Sequence, residues 1–179
     1  MISSRKALLW LFFTVSLSIS SSAAYAAAPI MLEGTDGKQY EFSEYLGKGK
    51  WTVLNIWGTR CPPCREEIPD LVHFHDAHKE TDATVVGIAI DFPSYEYAKK
   101  NEVLAFADDY MIDFPLMLSD GYITQKLGLG RLEGLPTTYM YTPEGKLVGM
   151  QVGGITKEIL EKYMKKYTEK QKDKGNTSQ

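Results

Sequence analysis

Seven residues from Trp51 to Trp57 form an apolar run broken only by Thr52 and Asn55, and a second run follows from Thr84 to Ile90. Short runs with both alternating sets apolar predict strands covered on both faces. Between them, from Pro62 to about Glu80, the pattern predicts a helix, bent at Pro69, where proline removes a backbone donor and crowds the preceding turn. Beyond the second strand Ser94 can cap a helix reaching about Tyr110, with Tyr97, Val103, Leu104, Ala107 and Tyr110 on its apolar side. Pro115 to Leu118 reads as a short strand, and Asp120 can cap a turn or two ending near Gly128. Thr137 to Tyr141 and Lys146 to Val152 flank Pro143-Glu144-Gly145, a hairpin signal. Thr156 opens a final amphipathic helix carrying Ile159, Leu160, Tyr163, Met164 and Tyr167 on one side. Ahead of the first long strand, Met31-Leu32, Asp36-Gly37 and Gln39-Tyr40-Glu41 predict a small hairpin, and Ser43 can cap a short helix ending at Gly47. No internal repeat is visible. The order β–α–β–α–β, then a hairpin and a closing helix, predicts an α/β fold: a central mixed sheet flanked by helices on both faces.

The two ends of the chain depart from this patterning. Arg5 and Lys6 precede an apolar stretch from Ala7 to about Ile19, then three serines and Ala24-Tyr25-Ala26, the layout of an export signal over residues 1–26 cleaved after Ala26. A membrane span needs about 20 apolar residues, so contact with the membrane is expected only if this segment stays on as an uncleaved anchor. The expected location is periplasmic or otherwise extracytoplasmic. From Thr168 the residues are polar and charged, and the segment 168–179 reads as a flexible tail. What lies between, residues 27–167, is one domain's worth of chain. The formal net charge of −3 becomes −5 once Arg5 and Lys6 leave with the signal, and a mildly acidic domain has no generic attraction to nucleic acid.

Cys61 and Cys64 are the only two cysteines, set as Cys61-Pro62-Pro63-Cys64 where the first long strand gives way to the helix. They can pair with each other, with a metal, or transiently with another molecule. A purely structural bridge across so short a loop would constrain little of the unfolded chain. A cysteine just ahead of a first helical turn faces unpaired N–H groups and the positive end of the helix dipole, which favour thiolate at Cys61. Cys64 lies one turn deeper, within reach of a mixed disulfide formed on Cys61. A metal site built with His73, His75 and His78 is disfavoured, because His73 and His75 lie two apart on a helix and point away from each other. Thr59, two residues before Cys61, meets one spacing of a peroxidase of the peroxiredoxin type, yet the close second cysteine fits disulfide exchange better.

Asn55-Ile56-Trp57-Gly58-Thr59-Arg60-Cys61-Pro62-Pro63-Cys64-Arg65-Glu66-Glu67-Ile68-Pro69, with Leu135-Pro136-Thr137 downstream, resembles the thioredoxin fold. More narrowly the chain is similar to the TlpA/ResA/CcmG (DsbE) branch of exported thiol–disulfide oxidoreductases, from about Pro29 to Tyr167. The resemblance implies an N-terminal β-hairpin extension and the branch's helical insertion. It implies that Cys61 attacks and Cys64 resolves, that Pro136 is a cis-proline against the redox disulfide, and that Leu135 offers its backbone to an extended client. Pro62, Pro63 and Trp57 join Leu135 as candidate client-contacting residues. Glu67 matches the acidic residue near the inner sulfur, and Asn55 stands where cytosolic thioredoxins keep an aspartate. A carboxylate partly withdrawn from water exchanges protons near neutrality, which suits Glu67 to deprotonating Cys64. Without the resemblance Glu67 would read as one more solvated charge beside Glu66. No cofactor is implied. The implied partners are disulfide-containing client proteins, apocytochrome c among them, and a membrane thiol transporter of the DsbD/CcdA kind as electron donor.

Two features around the cysteines act in opposite directions on the redox potential. Arg60, in place of the branch's usual tryptophan, brings a cation that stabilises a Cys61 thiolate and favours a more oxidising disulfide. Pro62 and Pro63 remove two N–H groups from the turn that would solvate it, which favours a more reducing one. An oxidase or isomerase of secreted proteins would use the same residues.

Overall fold

The computed structural model describes residues 29–176, so the segment read as an export signal lies outside the described residues. Seven strands form one sheet in the order β2-β1-β5-β4-β3-β6-β7. They are β1 (Met31–Gly34), β2 (Gln39–Glu41), β3 (Trp51–Trp57), β4 (Ala83–Ala89), β5 (Leu116–Leu118), β6 (Thr137–Tyr141) and β7 (Leu147–Val152). The β3, β4 and β5 strands are parallel, while β6 and β7 on one side, and β1 and β2 on the other, run antiparallel to their neighbours. The helices are α1 (Pro62–His78), α2 (Lys100–Asp109), α3 (Ile123–Lys126) and α4 (Lys157–Asn176), with a 3₁₀ turn at Phe42–Tyr45.

The two apolar runs are the central strands, and their alternating residues feed two separate cores. Trp51, Val53 and Trp57 of β3 join Ile68, Leu71 and Phe74 of α1, Val103 and Phe106 of α2, and Leu160 and Met164 of α4. Leu54 and Ile56 point the other way, to Ile123 of α3 and Phe42 of the 3₁₀ turn. All three long helices therefore share one face. The crossovers β3–α1–β4 and β4–α2–β5 step along the sheet in the same direction, and right-handed connections in one direction lie on one side.

Several boundaries differ from the sequence pattern. Ser94 caps no helix: its Oγ donates to Asp91 Oδ2 at 2.5 Å and accepts from the N–H of Glu96, and α2 begins only at Lys100. Tyr97 and Leu104 are exposed, and Phe106 is the aromatic residue that α2 buries. Ser43 likewise turns back to bond Glu41 rather than capping. At the other end α4 continues to Asn176, past the point near Tyr167 where a flexible tail is expected. Lys, Glu and Gln are strong helix formers, and a helix already nucleated by buried Leu160 and Met164 extends through them at little cost. Ile159, placed on the apolar side by spacing, is exposed.

Candidate active site

The β3 strand ends at Trp57, and the chain turns through Gly58, Thr59 and Arg60 into α1. The N–H of Cys61 bonds the carbonyl of Gly58 at 3.1 Å, and the carbonyl of Cys61 accepts from the N–H of Arg65 at 3.1 Å, which makes Cys61 the residue that opens the helix. Pro62 and Pro63 occupy the first two helical positions, where a missing N–H costs the helix nothing. Cys61 and Cys64 are joined as a disulfide, with their Cα atoms 5.3 Å apart. Both sulfur residues are covered, Cys61 at 1% exposure and Cys64 at 0%, while the two prolines between them stand exposed.

The pairing of β3 with β6 brings the downstream motif to this turn. Ile56 faces Thr137, so the chain preceding β6 places Pro136 and Leu135 alongside Trp57 and Gly58. The Leu135–Pro136 bond is cis. A Cβ built on Gly58 would lie 3.7 Å from Leu135 Cδ1 and only 3.0 Å from Phe92 Cβ, so a glycine is needed where these two walls close on the turn. Phe92–Pro93 is a second cis bond that the sequence pattern did not reveal.

Glu67 is 3% exposed, one helical turn beyond Cys64. Asn55 Nδ2 donates to its Oε1 at 2.7 Å and to Thr138 Oγ1 at 3.0 Å, and the N–H of Ile155 donates to its Oε2 at 2.9 Å. Burial pushes the Glu67 carboxyl up from 4.5 to about 7, against the lowering pull of the two hydrogen bonds and with a small further push from the Asp70 charge. A groove of about 240 Å³, lined by Pro63, Glu66, Asp70, Ile155 and Thr156, opens onto it. Glu67 is thus a carboxyl able to take or give a proton near neutral pH, joined to solvent on the side of α1.

Two expectations change. Trp57 is fully buried, with its ring 4.9 Å from that of Phe106, so it backs the site and cannot touch a client. Its β-strand side chain points into the same core as Val53, which a period of two already dictates. Arg60 does not turn its charge to Cys61: Nη2 sits 2.5 Å from Asp91 Oδ1, and Nε is 3.8 Å from Glu102 Oε2. Ser94 first, then Arg60 and Lys99, hold the Asp91 carboxyl below the usual range against the effect of burial. The cation expected to tune the thiol is already paired.

Other residues of the site were given no role there by the sequence pattern. Arg65 donates to the carbonyl of Thr59 at 3.1 Å and lies 5.3 Å over the Phe106 ring and 5.5 Å over Tyr110, whose rings are stacked 4.1 Å apart. The four-residue spacing of Phe106 and Tyr110 was the available signal. Asp91 stands just past the carboxyl end of β4, the side of a parallel sheet on which sites form. Among the described residues no cluster of metal-ligating side chains occurs; His75 accepts from the N–H of Val85, and His78 bonds Asp82 and Glu161.

A strand-to-helix turn carrying a covered C-x-x-C disulfide, a cis-proline brought to that turn by the sheet register and a buried carboxyl one turn on define a thioredoxin-like thiol–disulfide oxidoreductase. The comparisons agree: the ResA thiol–disulfide oxidoreductase of Bacillus subtilis is 32% identical over 145 residues, covering 81% of this chain and 75% of its own. That of Bacillus thuringiensis strain Al Hakam is 36% identical, covering 74% and 71%. The chain belongs to the AhpC/TSA family, whose model matches residues 24–150, and within that family it is of the TlpA/ResA/CcmG type. Among solved structures, a DsbF homologue from Corynebacterium diphtheriae superposes with a TM-score of 0.65 at 28% identity, covering 77% of this chain and 83% of that one. A thiol:disulfide interchange protein from Chlorobium tepidum gives 0.62 at 27% identity, covering 78% and 97%.

Proposed function

We propose that this oxidoreductase works as a reductant of disulfides outside the cytoplasm. The Cys61 thiolate attacks one sulfur of a client disulfide and displaces the other as a thiolate, which takes up a proton. Glu67 accepts the proton of Cys64, and the Cys64 thiolate then attacks Cys61, releasing the client as a dithiol and leaving the Cys61–Cys64 disulfide. Pro136 and Leu135, brought next to Trp57 and Gly58 by the pairing of β3 with β6, would hold an extended client strand against the sulfurs together with exposed Pro62 and Pro63. The oxidised enzyme returns to the dithiol with two electrons from a membrane thiol transporter of the DsbD/CcdA kind. The proposed client is apocytochrome c, whose paired cysteines must be reduced before haem attaches.

The observation that carries this direction is the poor solvation of the Cys61 sulfur. The residue is 1% exposed, and two prolines remove two of the helix-start donors that would hold a thiolate. Where the thiolate is poorly held the disulfide is favoured, and the dithiol is the stronger reductant. The test is the reduction potential of the Cys61–Cys64 couple by equilibration with thiol buffers. A value below roughly −220 mV is expected; one above roughly −150 mV would make the protein an oxidant and end the cytochrome assignment. In parallel, Cys64→Ser should trap a mixed disulfide on Cys61 with a reducible client, whereas Cys61→Ser should trap none.

A further inference from the structure

Asp91 is where the chain leaves β4 for the loop of residues 91–99 that leads to α2. Its side chain is 7% exposed and gathers three partners: Arg60 at 2.5 Å, Ser94 Oγ at 2.5 Å and Lys99 Nζ at 3.9 Å. Its backbone also closes the loop on itself, the N–H donating to Glu96 O at 3.0 Å and the carbonyl accepting from Tyr95 N at 2.9 Å. The next residue, Phe92, presses on Gly58, three residues before Cys61. The loop is therefore fastened to the active-site turn twice, by an ion pair and by a side-chain contact.

We propose that Asp91 is a positioning residue for disulfide exchange. As the counter-ion of Arg60 it draws that guanidinium away from the Cys61 sulfur, and through the same bond it ties the loop of residues 91–99 to the turn. The Arg60–Asp91 pair, rather than Arg60 by itself, then sets how readily Cys61 ionises. This rests on Cys61 being the attacking thiol.

The surrounding charges support a balanced set. Arg60 and Lys99 face Asp91 and Glu102, two cations against two anions, with Lys99 Nζ 3.6 Å from Glu102 Oε1. Arg65 is engaged with Thr59 and the two stacked rings. On the other side of the disulfide, Glu67 is buried at Asn55 and Ile155, and Glu66 is exposed. Removing one member of the Arg60–Asp91 pair leaves the set of four with a net charge in the turn next to Cys61, and removing both restores neutrality.

The experiment is a thiolate-absorbance titration of the reduced protein in wild type, Asp91→Asn, Arg60→Met and the double variant. Arg60 is half-exposed, so each single shift is expected at about half a pKa unit, or about threefold in thiolate fraction. Asp91→Asn should lower the Cys61 pKa, Arg60→Met should raise it, and the double variant should return to the wild-type curve. The single shifts should shrink in high salt, which a merely loosened loop would not reproduce. Asparagine keeps the shape of the aspartate, and a thermal melt of each variant checks folding. If neither single substitution moves the Cys61 titration, or the double variant stays as far from wild type as either one alone, the proposal is overturned. The titration uses no client, so a failure to reduce client disulfides would defeat the proposed function while leaving this result readable.

Discussion

At the scale of single residues, the site turns on carboxyl groups that the chain withdraws from water. Glu67 holds its proton more tightly in the folded protein than in the unfolded chain, with a pKa of about 7 against 4.5. Its contribution to stability is therefore fully present below about pH 4.5 and is lost as pH rises through 7. Glu67→Gln should remove this dependence: denaturant unfolding should find wild type losing about 3 kcal/mol relative to the variant between pH 4.5 and pH 8. The same substitution should abolish the inflection near pH 7 in the rate of dithiol exchange, leaving Cys64 without a proton acceptor. His75 acts with the opposite sign. Burial lowers its pKa, and its Nδ1 accepts from Val85 N–H only when neutral, so stability should fall as pH drops below 6.5, and His75→Gln should flatten that limb. The motif in the sequence names Cys61, Cys64, Pro136 and Glu67, and the structure places the disulfide, the cis bond and the buried carboxyl at these residues. Asp91 and Phe92 were not, because what matters about them is which turn they touch across the sheet.

At the scale of elements, the sequence pattern located β3, β4 and β6 almost to the residue, since the buried central strands β3 and β4 read as largely apolar runs and β6 as one arm of a hairpin. It misplaced the start of α2, where Ser94 offered a capping signal that Asp91 claims instead. Local hydrogen-bonding residues advertise several partners, and tertiary context chooses among them. The cost of missing Phe106 is larger, because that ring is the floor under Trp57 and the platform beneath Arg65. Phe106→Ala should destabilise the protein by about 3–5 kcal/mol in chemical denaturation and shift Trp57 emission to the red as water enters. Gly87 in β4 is equally constrained: a Cβ there would meet Leu116 Cδ2 at 2.6 Å and Trp57 Nε1 at 3.1 Å. Gly87→Ala should cost about 1–3 kcal/mol, read from the same unfolding curves.

For the whole molecule, the order of strands was legible only where hairpin signals pair β1 with β2 and β6 with β7; periodicity says what each remaining segment is and nothing about which neighbour it chooses. That order places α1, α2 and α4 on one face and leaves the other to α3, the 3₁₀ turn and the residues between α3 and β6. Along α4, the side chains from Thr168 to Lys174 are exposed, so truncation after Tyr167 should change the unfolding free energy, read by chemical denaturation, by no more than a surface substitution would, about 0.5 kcal/mol. The covering of the sulfurs has a consequence for the traffic of electrons. In the extracytoplasmic setting proposed for this chain many oxidants and small thiols drift past, and a dissolved thiol reacts with a disulfide only along the line of the sulfur–sulfur bond. With Cys61 at 1% exposure almost every such approach is blocked, so the couple is kinetically insulated from its surroundings. Glutathione should reduce it more slowly than it reduces an unfolded peptide bearing the same Cys61–Cys64 segment. Proteins shaped to reach it would then set its redox state, and such an enzyme could stay reduced in an oxidising compartment without being at equilibrium with it.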